Sequence, residues 1–180
     1  MKAAIIYWSK GGNTEKTALA IQAGLDQEGM ETLVMRTDDA QKIDWYAYDL
    51  FCIGFPSYQW RPPKPVDQYL RARFAEYSKQ GRVKVGAPPI PGKRVLVFCT
   101  YCGQHTGLNE ATPAVQYAGQ FFEHLGFAIV GEWYVVGQYH GREAANTQGR
   151  LGDIRGRPNQ TDLERVHGDA ARLAQTIKSA

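Results

Sequence analysis

The sequence predicts an α/β fold, namely a doubly wound, five-stranded parallel sheet with helices on both faces, and three observations support this prediction. Five short apolar runs alternate along the 180 residues with segments of helical spacing. Each run is nearly continuous in apolar residues, which is typical of strands that are covered on both faces. No internal repeat or low-complexity tract interrupts the alternation. We therefore expect one domain over residues 1–180.

The predicted strands and helices follow one another in turn along the chain. The strands are expected at residues 3–8, 32–35, 50–55, 95–100 and 128–136, and the helices at 14–28, 65–77, 110–125 and 162–177. Asn159, or Thr161 together with Glu164, can cap the last helix. Residues 39–48 predict one or two helical turns. Residues 137–160 predict a long loop with no element of its own, and this length is uncommon unless a loop is functional or disordered.

Composition and charge exclude several classes of protein. The chain is 43% hydrophobic and 22% charged, as in ordinary globular domains, and no apolar run is long enough to cross a bilayer. The net charge of +3 comes from scattered residues that form no basic stripe, so we expect no nucleic-acid partner. Three cysteines, Cys52, Cys99 and Cys102, make no disulfide framework, and we expect reduced thiols in a cytoplasmic protein.

The loop after the first strand, which we call loop 1 (residues 9–14), reads Ser-Lys-Gly-Gly-Asn-Thr and leads directly into a helix. Its glycine pair lets the main chain turn tightly so that several N–H groups point at one spot, beside the positive end of the helix dipole. The hydroxyls of Ser9 and Thr14 and the amide of Asn13 can add hydrogen bonds. Loop 1 is a candidate phosphate cradle, although a plain glycine-rich turn has the same pattern.

Two further loops at the same edge of the predicted sheet carry polar and aromatic side chains. Loop 3 (residues 54–63) places Tyr58 and Trp60 in a proline-rich segment, where they can form a platform for a flat ring or fold back onto the surface. Loop 4 (residues 100–107) combines hydroxyl, aromatic and glycine residues, whereas the loop after the second strand is short and ordinary. A flat aromatic ligand with a phosphate tail explains why these loops alone are marked.

The three loops resemble those of the flavodoxin family, and the resemblance extends over nearly the whole chain. Loop 1 resembles the family's phosphate loop, Ser/Thr-x-x-Gly-Asn-Thr, and residues 48–58 and 97–103 resemble its third and fourth strands with the loops that follow. The resemblance implies the strand order 2-1-3-4-5 and a non-covalently bound FMN. The residues that it implies for cofactor binding are Ser9, Lys10, Gly11, Gly12, Asn13 and Thr14 at the phosphate, and Pro56, Ser57, Tyr58, Gln59, Trp60, Thr100, Tyr101, Cys102 and Gly103 at the flavin ring.

The resemblance implies electron transfer between redox partner proteins, with no catalytic side chain. Flavodoxins that act only as carriers tend to be acidic, whereas this chain is basic, so we expect acidic docking faces on its partners or a different role. The alternative is an NAD(P)H-dependent, FMN-bound quinone or flavin reductase, which needs room for the nicotinamide and favours a dimer. A scaffold that has lost its flavin is a third interpretation, and the intact loop 1 argues against it. Monomer and homodimer both remain open.

Other motif-based functions fit the sequence less well. Loop 1 lacks the lysine of a nucleotide-binding P-loop and the three spaced glycines of a dinucleotide fingerprint. Cys99 and Cys102 can form a redox dithiol or part of a metal site, but no second Cys or His pair supplies further ligands, so we expect no metal. His140 can reach the flavin edge or lie in solvent. The arginines of residues 137–160 can attract an acidic partner or NADPH, or be solvated.

Overall fold

The computed structural model describes residues 1–179 and confirms the predicted α/β fold. Its five strands are all parallel and lie in the order β2-β1-β3-β4-β5, which is the predicted order. Their bounds are Lys2–Tyr7 (β1), Glu31–Arg36 (β2), Leu50–Pro56 (β3), Arg94–Tyr101 (β4) and Ala128–Val136 (β5). Because β1 lies between β2 and β3, the direction of strand progression reverses beside it, where ligands of such sheets bind.

Helices cover both faces of the sheet. They are Asn13–Gln27 (α1), Lys64–Lys79 (α2), Thr112–Glu123 (α3), Glu143–Thr147 (α4) and Gln160–Ser179 (α5), with 3₁₀ turns at Trp45–Ala47 and Gly107–Glu110. One apolar core joins the sheet to α1 and α5, and a second joins it to α2 and α3. Within the part of the chain that the structure describes, no helix is both long and apolar enough to span a membrane.

The two cores follow from the alternation of side chains along each strand. In β4, Leu96 and Phe98 face α1 and α5, whereas Val95, Val97 and Cys99 face α2 and α3. Phe98 fits because Gly54 of the neighbouring β3 has no side chain; a Cβ on Gly54 would lie 1.9 Å from the Phe98 ring. The central strands are therefore packed tightly on both faces, and their carboxyl ends are held in fixed positions.

Residues 39–48 contain one helical turn, the smaller of the two numbers that the sequence predicts. Their helical part is the single 3₁₀ turn Trp45–Ala47, which a non-helical turn at residues 41–42 precedes. Trp45 is fully buried, and its Nε1 donates a hydrogen bond to the Tyr69 hydroxyl (2.9 Å) while its main-chain N–H donates to the Tyr77 hydroxyl (2.7 Å). The segment is thus fixed by a buried indole and two tyrosines of α2 rather than by local helix propensity.

The expectation that residues 137–160 have no element of their own is wrong. They contain α4, and the side chain of Asn146 in that helix is 5% exposed and bonds to the main chain of Tyr139. Of the alternative caps for the last helix, Asn159 is the one that forms. Its Oδ1 accepts from the Asp162 N–H (3.0 Å), and Asp162 Oδ2 accepts from the Asn159 N–H (3.0 Å).

Candidate functional site

The three marked loops meet at one edge of the sheet. Loops 1, 3 and 4 follow β1, β3 and β4, which are adjacent in the sheet, so their carboxyl ends lie side by side. Hydrogen bonds join the loops: the Ser57 N–H donates to the Thr100 carbonyl oxygen (2.9 Å), and the hydroxyls of Thr14 and Thr100 lie 2.8 Å apart in a buried position. The structure therefore brings residues that are remote in sequence into one site.

Loop 1 is shaped by Gly12 and by the hydroxyl of Ser9. Gly12 precedes α1 and has a φ of +89°, a backbone conformation that residues with a side chain rarely adopt. Its N–H donates to Ser9 Oγ (3.0 Å), and Arg36 Nη2 donates to the Ser9 carbonyl oxygen (3.0 Å). Ser9 is 7% exposed. Loop 1 is thus anchored from inside the protein.

Several main-chain N–H groups of loop 1 are available to a ligand. Among residues 1–179, no protein acceptor bonds to the N–H groups of Lys10, Gly11, Asn13 or Thr14. Those of Asn13 and Thr14 belong to the first turn of α1 and point out of its N-terminus. A Cβ on Gly12 would meet no atom within 4 Å, so the space beside this residue is open. Unpaired amides at the positive end of a helix suit a phosphate group.

The side-chain donors of loop 1 divide into two groups. The Ser9 hydroxyl accepts one hydrogen bond, so its own proton remains free to donate, and one of the two paired hydroxyls of Thr14 and Thr100 also keeps a proton. Asn13 Nδ2 instead donates to the Gln138 carbonyl oxygen (2.9 Å), so the Asn13 side chain ties loop 1 to the segment after β5. The groups of loop 1 that remain free for a ligand are therefore mainly main-chain amides and hydroxyls.

Loop 3 forms a tight hairpin turn at its centre. Tyr58 and Arg61 exchange two main-chain hydrogen bonds (2.9 and 3.1 Å), and the residues between them, Gln59 and Trp60, have φ values of +50° and +64°. Positive φ at both central residues is what a type I′ turn requires, and it is unusual without glycine or asparagine. Ser57 fixes the start of loop 3, because its hydroxyl donates to the Glu110 carbonyl oxygen (2.5 Å).

Aromatic rings lie exposed around this turn. The side chain of Trp60 is 60% exposed and that of Tyr58 is 43% exposed, so neither is buried in a core. Trp8, at the end of β1, contacts Tyr58 edge to face, with ring centroids 6.0 Å apart. Partial burial raises the pKa of Tyr58, and the nearby Tyr139 raises it further. These rings offer an apolar surface beside loop 1 for a flat ligand.

Loop 4 contains Cys102 and is fixed by hydrogen bonds to the Glu110 side chain. Glu110 Oε1 accepts hydrogen bonds from the N–H groups of His105 (2.6 Å) and Thr106 (2.7 Å). Burial raises the pKa of the half-buried Cys102 thiol, while the adjacent main-chain amides of Gln104, Cys102 and Gly103 oppose that shift. Within residues 1–179, no main-chain carbonyl oxygen accepts a hydrogen bond from the N–H groups of Cys102, Gly103 and Gln104, so these groups are available to polar edges of a ring.

The other cysteines are core residues. Cys52 and Cys99 are fully buried in central strands, and burial strongly raises the pKa of both thiols. Buried neutral thiols are inert, as expected for small apolar core residues. Within residues 1–179, no group of three or more His, Cys, Asp or Glu side chains is placed to hold a metal ion.

The sequence left open whether His140 reaches the site or lies in solvent, and it did not predict the contacts that the segment after β5 makes with loops 1 and 4. His140 is exposed, yet its ring lies directly on Gly11, where a Cβ would be 2.3 Å from His140 Cδ2. The Arg150 N–H donates to the Gln104 carbonyl oxygen (3.0 Å), so the same segment also contacts loop 4. No local pattern announces these contacts, because they depend on how the segment folds back over the sheet edge.

The comparisons with known proteins agree with this architecture. The family model described as flavodoxin matches residues 5–172. Flavodoxin 1 from Bacillus cereus, in its oxidised form, superposes with a TM-score of 0.67 at 17% identity, covering 97% of this chain and 98% of that one. A flavodoxin from the domain Archaea gives a TM-score of 0.64 at 16% identity and covers 99% of both chains. Curated proteins yield no significant match.

Two further structures share the fold as well. A flavodoxin, WrbA-like protein from Agrobacterium tumefaciens has a TM-score of 0.62 at 16% identity, covering 99% of this chain and 98% of that one. Rubredoxin oxygen:oxidoreductase from Desulfovibrio gigas has a TM-score of 0.63 at 15% identity, with 99% of this chain covering 36% of that one. At these identities the structural likeness establishes the fold, whereas the family-model match spans nearly the whole chain. The chain belongs to the flavodoxin family of flavin-binding electron-transfer proteins.

Proposed function

We propose that this protein binds FMN non-covalently and carries electrons between redox partner proteins. The observation that supports the proposal most strongly is the set of unpaired main-chain amides in loop 1, adjacent to the exposed aromatic rings of loop 3. Amides at a helix N-terminus suit a phosphate dianion, and aromatic rings suit a flat tricyclic ring. In this arrangement the residues of loop 1 hold the phosphate, and residues 56–60 and 100–103 flank the ring.

The chain's own residues would bind and orient the flavin rather than react with it. FMN supplies the redox chemistry when bound, and the protein tunes it through its surroundings. Tyr58, Trp60 and Tyr101 exclude water from the ring and disfavour added negative charge on it. The main-chain N–H groups of Cys102, Gly103 and Gln104, which no main-chain carbonyl oxygen accepts, can donate to the polar edge of the ring. No side-chain acid or base is needed in this role.

We further propose that the partners present an acidic face. Lys10, Arg61, Arg142 and Arg150 are exposed around loops 1, 3 and 4, and none of them has a carboxylate partner within residues 1–179. Glu143 and Asp153 both pair with Arg155, so these three side chains together leave one net negative charge against the four unpaired cations. These four cations form the rim of the site. The net charge of the rim is therefore positive, which speeds encounter with negative surfaces.

The polarity of this rim has a direct kinetic test. Electron transfer from the reduced protein to a small acidic redox protein should slow as ionic strength rises, because salt screens the attraction. With a small basic acceptor the rate should rise or stay constant. Replacing Arg61 and Arg150 by glutamine should flatten the salt dependence with the acidic acceptor, whereas replacing Lys79 and Lys84, which lie at the other end of the sheet, should not. A salt dependence of the opposite sign would contradict an acidic partner.

A reductase on the same fold is the second candidate, and one experiment separates it from a carrier. The purified protein is reconstituted with FMN, and NADPH or NADH is added under anaerobic conditions while the visible absorbance is recorded. If the protein is a carrier, its flavin absorbance should bleach slowly or not at all with NADPH or NADH, and dithionite should reduce the flavin. Rapid bleaching by NADPH would instead identify a reductase. A protein that cannot be reconstituted with FMN would contradict both functions.

A further inference from the structure

The segment between β5 and α5, which we call the strap (residues 137–159), is folded by its own hydrogen bonds. The Gln138 N–H donates to the Arg157 carbonyl oxygen, and Gln138 Oε1 accepts from the Gly156 N–H, both at 2.8 Å. The Ile154 N–H donates to the Asn146 carbonyl oxygen (2.8 Å), and Ile154 is 1% exposed. The strap is therefore a compact unit with its own small core, and the two ends of the strap lie together.

The strap spans the site from loop 1 to loop 4. At loop 1 its Gln138 carbonyl oxygen accepts the hydrogen bond from Asn13 Nδ2 (2.9 Å). At loop 4 Leu151 packs against Gly103, where a Cβ would lie 2.9 Å from Leu151 Cδ1. Both contacts use residues that the flavodoxin resemblance places at the cofactor. The strap thus adds a further wall to the same site.

Asn146 sets the position of the strap residues that face loop 1. Its Oδ1 accepts a hydrogen bond from the Tyr139 N–H (2.7 Å), and its Nδ2 donates one to the Tyr139 carbonyl oxygen (2.9 Å). The carboxamide therefore binds both main-chain groups of one residue. The next residue is His140, whose imidazole lies on Gly11. A Cβ there would be 2.7 Å from His140 Nε2. A buried amide therefore places an imidazole against Gly11 of loop 1.

We propose that His140 is a phosphate-binding residue of the FMN site and that Asn146 is its positioning residue. This inference rests on the proposed function, because the phosphate concerned is that of FMN. His140 Nε2 lies beside Gly11, whose main-chain N–H has no protein acceptor within residues 1–179, and Gly11 leaves room for the ring only because it lacks a side chain. An imidazole N–H directed at a dianion forms a charge-assisted hydrogen bond, which is stronger than a neutral one.

The test compares FMN with riboflavin, which lacks the phosphate. Dissociation constants for both flavins are measured by quenching of flavin fluorescence on titration with apoprotein. His140→Ala should weaken FMN binding about 10-fold and leave riboflavin binding within about twofold, since one charged hydrogen bond to the phosphate is lost. His140→Gln, which keeps an N–H donor, should recover part of the loss. His124→Ala, an exposed histidine at the end of α3, is the matched control and should change neither constant.

Asn146 is tested by non-additivity. Asn146→Ala should weaken FMN binding selectively over riboflavin, and it should cause little further loss when His140 is already alanine, because both changes remove the same contact. A purely structural Asn146 would weaken both flavins alike and add its effect to that of His140→Ala.

The outcomes separate this inference from the proposed function. If the wild-type protein binds neither flavin, the proposed function fails. If it binds FMN and His140→Ala leaves FMN affinity unchanged, or reduces the affinity for both flavins equally, the phosphate role of His140 is overturned while FMN binding stands. The thermal unfolding of His140→Ala apoprotein should match that of the wild type, because the side chain is exposed.

Discussion

Loops 1 and 3 leave neighbouring strands, and both contain residues in the left-handed region, yet they reach it differently. In loop 1 the residue is Gly12, for which a φ of +89° carries little cost. In loop 3 two successive residues, Gln59 and Trp60, have positive φ, which costs about 1–2 kcal/mol for each non-glycine residue. Hydrogen bonds between Tyr58 and Arg61 maintain this turn. The shape of loop 1 thus agrees with the preference of its glycine, whereas loop 3 keeps its shape through its own hydrogen bonds, against the preference of Gln59 and Trp60.

The two loops also offer different groups to a ligand. Loop 1 presents unpaired main-chain N–H groups, which select for negative charge, and loop 3 presents aromatic rings, which select for flat apolar surface. Changes in loop 1 should therefore separate FMN from riboflavin, and changes in loop 3 should affect the two flavins alike.

The largest effect is expected from a negative charge in loop 1. Asn13→Asp places a carboxylate next to the phosphate and removes the hydrogen bond to Gln138, so FMN affinity should fall on the order of 100-fold. Riboflavin affinity should change little. Fluorescence titration of the apoprotein measures both constants. Asn109→Asp, in the exposed 3₁₀ turn after loop 4, adds the same charge elsewhere and should have little effect. An equal loss for both flavins would show that loop 1 does not read the phosphate.

A smaller effect is expected from removal of a ring in loop 3. Trp60→Ala should weaken FMN and riboflavin by the same factor, about 10-fold, because stacking on an aromatic side chain contributes about 1–3 kcal/mol. Trp60→Phe should retain most of the affinity. Protein stability should hardly change, since the Trp60 side chain is 60% exposed. A loss confined to FMN would contradict the division of roles between the loops.

The smallest effects concern the stability of the two turns, and they should have opposite signs. Gly12→Ala should destabilise the apoprotein by about 1–2 kcal/mol through backbone strain alone, because its Cβ meets no atom within 4 Å. Gln59→Gly should leave stability unchanged or raise it by up to about 1 kcal/mol, since relief of strain exceeds the entropic cost of glycine. Urea unfolding gives both free energies. Two changes of the same sign would mean that loop 3 is unstrained.

The regular elements could be predicted because their signals are local. The predicted strand at Ala128–Val136 has the bounds that the structure shows, since its run of apolar, β-branched and aromatic residues is long and only Gly131 and Glu132 interrupt it. The strap was not predicted, because α4 spans only five residues and is fixed by Asn146 and by contacts to loops that are distant in sequence. Likewise, the cap of α5 uses Asn159 and Asp162, a choice among polar residues that pattern alone leaves open.

The candidate site divides in the same way. Glycines, hydroxyls and aromatic residues mark loops 1, 3 and 4 in the sequence, because ordinary turns rarely carry them together. That Asn13 bonds to Gln138, and that His140 lies on Gly11, follows only from the path of the chain after β5. Asn13 and Gln138 are 125 residues apart in the sequence, so no short stretch of sequence contains both partners of such a contact.

A crystal structure of the protein with FMN tests the central claim most directly. The account predicts that the phosphate oxygens accept hydrogen bonds from the main-chain N–H groups of Lys10, Gly11, Asn13 and Thr14, and that the flavin ring lies among the aromatic side chains of loops 3 and 4. A phosphate located outside loop 1, or a flavin ring away from Tyr58 and Trp60, would contradict it.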